Sequence, residues 1–151
     1  MHCVIDSPVG RLRIIEKNGA IAGLNRTSES LTPPRTPLLA ECVHQLEAYF
    51  AGTLTAFDLP LHMEGTAFRM KVWQALRCIP YGETRSYGQL AAVIGQPGAS
   101  RAVGGANHHN PISIIVPCHR VIGADGSLTG YGEGLDMKEW LLEHERKHHH
   151  A

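Results

Sequence analysis

"SYGQLAAVIGQPGASRAVGGANHHNP", residues 86–111, holds two short helical patterns parted by a glycine-proline break. Ser86 stands at an N-cap position ahead of Tyr87, Leu90, Ala91 and Ile94, which recur at one-face spacing. The run GQPG, 95–98, stops that pattern. Ser100 is placed to cap a second helix reaching about His109, and Pro111 pushes Asn110 out of the α region. Two short helices across a tight turn predict a helix-turn-helix.

The second helix is nearly all small after Arg101. Gly104 and Gly105 each cost about 1 kcal/mol against alanine there. Two explanations stand: tight helix packing, or a backbone laid into a groove of DNA with Arg101 at its start. A major-groove reader presents long polar side chains to base edges. This helix lacks them, so the DNA reading points to a shallow approach through the minor groove.

Directly downstream lies NPISIIVPCHRV, 110–121. The β-branched run Ile112 to Val116 predicts a buried strand that delivers Cys118, His119 and Arg120 side by side. On a strand the first two would face opposite ways, so a contact needs an immediate turn or a bridging water. A thiol attacks as thiolate, an imidazole can take its proton, and a carboxylate can steady the imidazolium. Glu145, on the last helical pattern, is the candidate carboxylate. A lone Cys-His pair is more often structural. The apolar strand before it, the glycine-rich loop 123–134 after it and the adjoining helix-turn-helix favour chemistry.

Further out, the N-terminal third alternates short β-rich runs with turn signals, Asn18-Gly19 being the hairpin cue. Residues 26–37 read as a proline-rich loop. From Pro37 the period becomes helical, with Leu39, Cys42, Val43, Leu46, Tyr49 and Phe50 on one face and Gly52 as the stop. An extended connector leads to Thr66, the expected N-cap of a helix to about Cys78 with Phe68, Val72, Trp73 and Leu76 inward. A final helix spans LDMKEWLLEHERK, with Leu135, Trp140, Leu141, Leu142 and His144 as burial candidates. The expected division is 1–62, 63–147 and a tail 148–151.

With 43% apolar and 19% charged residues the composition is that of a soluble globular chain. No apolar run approaches the roughly 20 residues of a membrane span, and the start lacks secretory features. The expected location is therefore the cytoplasm, with Cys3, Cys42, Cys78 and Cys118 reduced and without metal-ligand spacing. Cys42 and Cys78 read as core residues. Net charge is zero, yet residues 66–120 carry six basic groups (Arg69, Lys71, Arg77, Arg85, Arg101, Arg120) against Glu83 alone. This positive island reads either as a solvated face or as a phosphate-facing surface.

Residues 110–145, with IPYGETRSYGQLA and SRAVGGAN upstream, closely resemble the O6-alkylguanine-DNA alkyltransferases, whose signature is the PCHRV core. The resemblance covers 66–145 well and the N-terminal lobe more loosely through DSPVG and AYFAG. It implies an α+β fold: a small ribonuclease H-like N-terminal β-sheet lobe, then a mainly helical lobe with the helix-turn-helix. It implies direct-reversal repair: the guanine is flipped from the duplex, and its O6-alkyl group passes irreversibly to Cys118. O4 of thymine is a further candidate substrate.

Carried over by resemblance, His119 is the general base through a water and Glu145 completes the relay. Asn110 is the hinge between helix-turn-helix and site, Tyr87 donates to the departing guanine, and Arg101 fills the space left by the base. Gly104 and Ala106 are the small groove-facing residues. Val121, Tyr131 and Gly132 line the pocket, and Lys138 positions Tyr87 or the loop. No cofactor and no metal are expected, since Cys3 lacks the partners of the zinc site some relatives carry. The expected partner is duplex DNA holding O6-alkylguanine, bound through the minor groove by a monomer, with cooperativity on DNA left open.

Some relatives have serine at Gly132. Glu133 stands where glycine is common, and a carboxylate there narrows the pocket or repels phosphate. His108 and His109 are candidates for pH-dependent phosphate contacts. Two alternatives remain at this stage: an alkyltransferase-like lesion binder, which typically lacks the acceptor cysteine, and a cysteine hydrolase, which would turn over repeatedly.

Overall fold

The computed structural model describes residues 1–128 and 131–149 and divides the chain into two compact units, Met1–Met63 and Glu64 onward. In the first, β1 (His2–Ile5), β2 (Leu12–Lys17) and β3 (Ala20–Arg26) form an antiparallel sheet in sequence order. Asn18 and Gly19 both take positive φ, 53° and 76°, so the Asn-Gly pair supplies the left-handed turn between β2 and β3. Leu12, Ile14, Ile21 and Leu24 have no exposed surface.

Helix α1 (Pro37–Phe50) covers the sheet with Leu39, Cys42, Leu46 and Tyr49. Thr36 caps it by accepting from the Leu39 amide at 3.1 Å. Val43 is only half-buried, and Gln45 takes an inward position instead. The Gln45 amide group accepts from the Asp58 N–H and donates to its carbonyl, tying the connector to α1. That connector is not a bare spacer, because Ile21 exchanges backbone hydrogen bonds with Pro60 and His62.

In the second unit α2 (Ala67–Arg77) starts from Thr66, whose side chain accepts from the Arg69 amide. Trp73 is 2% exposed and its Nε1 donates to the Ala106 carbonyl at 2.9 Å. Helix α3 (Tyr87–Val93) opens with a reciprocal box in which Ser86 and Gln89 each cap the other's backbone N–H. Helix α4 (Ser100–His108) follows and packs on both α2 and α3. Ser100 is its first residue rather than its cap. The turn running through Ala99 enters the helix directly, with the Val103 amide bonded to the Ala99 carbonyl.

Residues 112–116 are buried but do not form the expected strand. They make a tight turn in which the Val116 amide bonds back to the Ile112 carbonyl and Ile114 sits at φ 70°. A β-branched run of this length reports burial, and burial does not distinguish a strand from a turn whose polar groups are satisfied internally. Cys118–Arg120 form a 3-10 turn that runs into β5 (Val121–Ile122), which pairs in parallel with β4 (Arg85–Ser86), a pairing that periodicity did not reveal.

The last helix, α5 (Leu135–His148), buries Met137, Lys138, Leu141, His144 and Glu145. Leu135, expected inside, is 48% exposed. The helix takes in His148, the first residue of the expected tail; residues 150 and 151, and residues 129 and 130 of the expected glycine-rich loop, lie outside the described residues. Cys78 is exposed just past α2, where a half-turn beyond the helix has no core to face. No described helix is long and apolar enough to cross a membrane.

Candidate active site

The 3-10 turn at 118–120 solves the problem that a strand would pose. It rotates successive side chains by about a third of a turn, so Cys118, His119 and Arg120 all stay inside, 3%, 0% and 7% exposed. Pro117 precedes the turn and its carbonyl accepts from the Arg120 amide.

Asn110 shapes the approach. Its Nδ2 donates to the Val116 carbonyl at 2.8 Å and to the Ile112 carbonyl at 3.4 Å, and its Oδ1 accepts from the Ile112 amide at 3.0 Å. A side chain thus replaces the ladder a strand would have supplied. It also holds Ile114 in a left-handed conformation that a β-branched residue rarely adopts. Asn107, one turn earlier on α4, donates to the Cys118 carbonyl at 3.3 Å. Sequence reasoning missed it, although its i,i+3 spacing from Asn110 was a usable signal.

His119 Nε2 lies 2.6 Å from Glu145 Oε2. Glu145 is also gripped by Arg120, Nε to Oε1 at 2.8 Å and Nη2 to Oε2 at 3.1 Å, and accepts from the Gly82 amide at 3.2 Å. Arg120 spends its remaining reach on the Ile79 carbonyl at 2.6 Å. Burial alone would raise the Glu145 pKa, but the His119 and Arg120 partners outweigh it and hold the carboxyl well below the usual carboxylate range. Burial lowers the His119 pKa, so the ring is neutral at pH 7 despite the raising influence of Glu145. A neutral ring beside a carboxylate carries its proton on Nε2. Nδ1 is then the basic atom, and it is buried with no hydrogen-bond partner among the described residues.

Burial pushes the Cys118 thiol up from 9.0 to about 11, partly offset by the Asn110 amide, Lys138 and the Tyr131 hydroxyl and reinforced by Glu133. At neutral pH the sulfur keeps its proton until a base takes it. Lys138 has no exposed surface; burial lowers its pKa to about 8, against an upward pull from Cys118. Its Nζ donates to the Val121 carbonyl at 2.5 Å and stands 5.9 Å from the Tyr87 ring centre and 6.0 Å from that of Tyr131. Lysine thereby joins the 3-10 turn, α3 and the 131–134 segment around the thiol. The Tyr131 hydroxyl is buried without a partner at bonding geometry among the described residues, yet beyond burial its proximity to Cys118 and Ser113 affects how it titrates.

A Cβ at Gly132 would come within 2.9 Å of the His108 carbonyl oxygen, so in this chain the position leaves no space for the serine of some relatives. On α4, a Cβ at Gly105 would meet nothing within 4 Å, and at Gly104 only the Tyr87 ring at 3.8 Å. Packing among the described residues therefore requires neither glycine. Arg101 and Gly105 are exposed on this helix. Ala106, expected to face the groove, is instead 3% exposed, because one helical step of about 100° turns it away from Gly105's open side; its carbonyl accepts from Trp73. The positive island also shrinks: Arg120 is buried on Glu145, and Arg85 pairs with Glu83 at 3.1 Å. Among the described residues no three His, Cys, Asp or Glu side chains group as a metal site.

The 6-O-methylguanine DNA methyltransferase family matches the chain in two parts: its ribonuclease-like domain over residues 1–63 and its DNA binding domain over residues 67–147. A methylated-DNA–protein-cysteine methyltransferase of Mycolicibacterium paratuberculosis is 53% identical over 150 residues, 95% of this chain and 91% of that protein. A Mycobacterium tuberculosis protein of the same name is also 53% identical, covering 94% of this chain and 90% of its own. The crystal structure of Mycobacterium tuberculosis OGT in complex with DNA superposes with a TM-score of 0.90 at 51% identity, over 97% of this chain and 93% of that one.

Proposed function

The chain belongs to the 6-O-methylguanine DNA methyltransferase family, and on that premise we propose that Cys118 is the acceptor in a one-turnover repair of O6-alkylguanine in DNA. The protein repairs DNA by transferring an alkyl group to its own cysteine. The carrying observation is the open Nδ1 of His119, made basic by the Nε2 to Glu145 bond and buried in the residue that follows the thiol.

In this reading Nδ1 takes the Cys118 proton through a water. Sγ attacks the alkyl carbon of O6-alkylguanine, the S–C bond forms and the C–O6 bond breaks. Glu145, already locked by Arg120, steadies the imidazolium without becoming protonated. The purine leaves with the bond electrons, and the Tyr87 hydroxyl donates toward it as that charge develops. The thioether has no route back, so each molecule acts once.

The O6 atom of a stacked guanine is out of reach, so the base must be extruded. The glycine-lightened outer side of α4 suits a minor groove, and exposed Arg101 at its start is placed to occupy the gap. Binding as a monomer belongs to the same proposal. Intact-mass measurement after incubation with duplex carrying O6-methylguanine tests it: one methyl gained per chain, mapped to Cys118. Product exceeding one equivalent, or methylation elsewhere, overturns it, and Cys118→Ala is expected to bind the duplex without gaining mass.

A further inference from the structure

Glu133 lies between buried Tyr131 and the start of α5 and is half-buried. Its Oε1 accepts from Ser113 Oγ at 3.4 Å, and Ser113 is 2% exposed in the turn that leads to Cys118. The carboxylate is thus held against the wall of the acceptor site rather than extended into solvent. It works against the chemistry assigned to that site. Deprotonation puts negative charge on sulfur and displacement passes it to the departing purine, and a neighbouring anion disfavours both. Its charge raises the pKa of both Cys118 and Tyr131, in each case behind burial as the larger cause.

A charge that hinders the reaction has a use if it discriminates among substrates. Sγ must approach the first carbon of the adduct in line with the C–O6 bond. Any further atoms of the adduct then lie beside the sulfur, among the groups that act on it. Resting on Cys118 as the acceptor, we propose that Glu133 is a specificity-determining residue that admits neutral O6 adducts and turns away anionic ones such as carboxymethyl. Like charges about 6–12 Å apart at an effective dielectric of about 20 give roughly a ten- to hundredfold bias.

The test uses the full chain and duplexes carrying O6-methylguanine, O6-carboxymethylguanine or its uncharged isostere O6-carbamoylmethylguanine, with single-turnover transfer read by intact mass. Wild type is expected to favour the carbamoylmethyl over the carboxymethyl adduct by tenfold or more beyond the ratio shown by Glu133→Gln. Comparing the two proteins cancels the intrinsic reactivity of the adducts. Equal ratios in both proteins overturn the proposal. Failure of wild type to take methyl from O6-methylguanine sinks the acceptor reading itself, a distinguishable result.

Discussion

His119 Nε2 and Glu145 Oε2 meet at 2.6 Å where neither side chain is more than 1% exposed. Because Arg120 and the Gly82 amide occupy the same carboxylate, Glu145 orients the ring and does not compete for the proton. Replacing His119 with Gln keeps a polar group of similar size but removes the base. Single-turnover transfer from O6-methylguanine duplex should fall roughly 10²- to 10⁴-fold, with duplex affinity changed far less.

Arg120 is the partner that keeps Glu145 charged in a buried site. Arg120→Met leaves that carboxylate short of its main neutralising group. Losing one partner of such a pair costs about 3–5 kcal/mol, measurable as a lower urea midpoint with an unchanged slope. A loss under about 1 kcal/mol would show that Glu145 does not depend on it.

The pH dependence of stability follows from two depressed groups. His119 titrates below its ordinary 6.5 in the folded chain, so below that pH the unfolded chain binds the extra proton and stability falls. Glu145 titrates below its ordinary 4.5, so its contribution is complete above that pH and drains as acid is added. The denaturation midpoint should be level in these terms from pH 8 to about 7, decline from about 6.5 and steepen below 4.5. In His119→Gln the first decline should shrink.

Arg101 stands at the exposed start of α4, with Ser100 and Ala99 before it. Arg101→Ala should slow transfer from duplex O6-methylguanine at least tenfold and leave transfer from free O6-benzylguanine nearly unchanged. Equal losses on the two substrates would place Arg101 in the chemistry rather than in extrusion.

Salt dependence of DNA binding should be modest. With Arg120 buried and Arg85 paired to Glu83, four cations of the positive island remain for phosphates: Arg69, Lys71, Arg77 and Arg101. At about −0.9 per neutralised phosphate, log affinity against log salt should be no steeper than about −4. A steeper slope would mean that cations outside residues 66–120 reach the backbone.

The sheet-and-helix N-terminal unit and the helix-turn-helix were legible because local rules govern them. Asn18-Gly19 permits one kind of turn, Thr66 and Ser86 each offer an oxygen to a helix start, and apolar spacing names the inward faces. Burial of 112–116 was legible for the same reason, but not its shape. The turn there exists because Asn110 reaches across it, and such a bond leaves no periodic trace. Charge counting misplaced Arg120, which is basic in any tally and becomes an internal clamp only where α5 brings Glu145 to it. Side chains 25 and 26 residues apart meet at the relay. Which groups are basic there, and which thiol stays protonated, depends on desolvation and on neighbours that chain folding alone assembles.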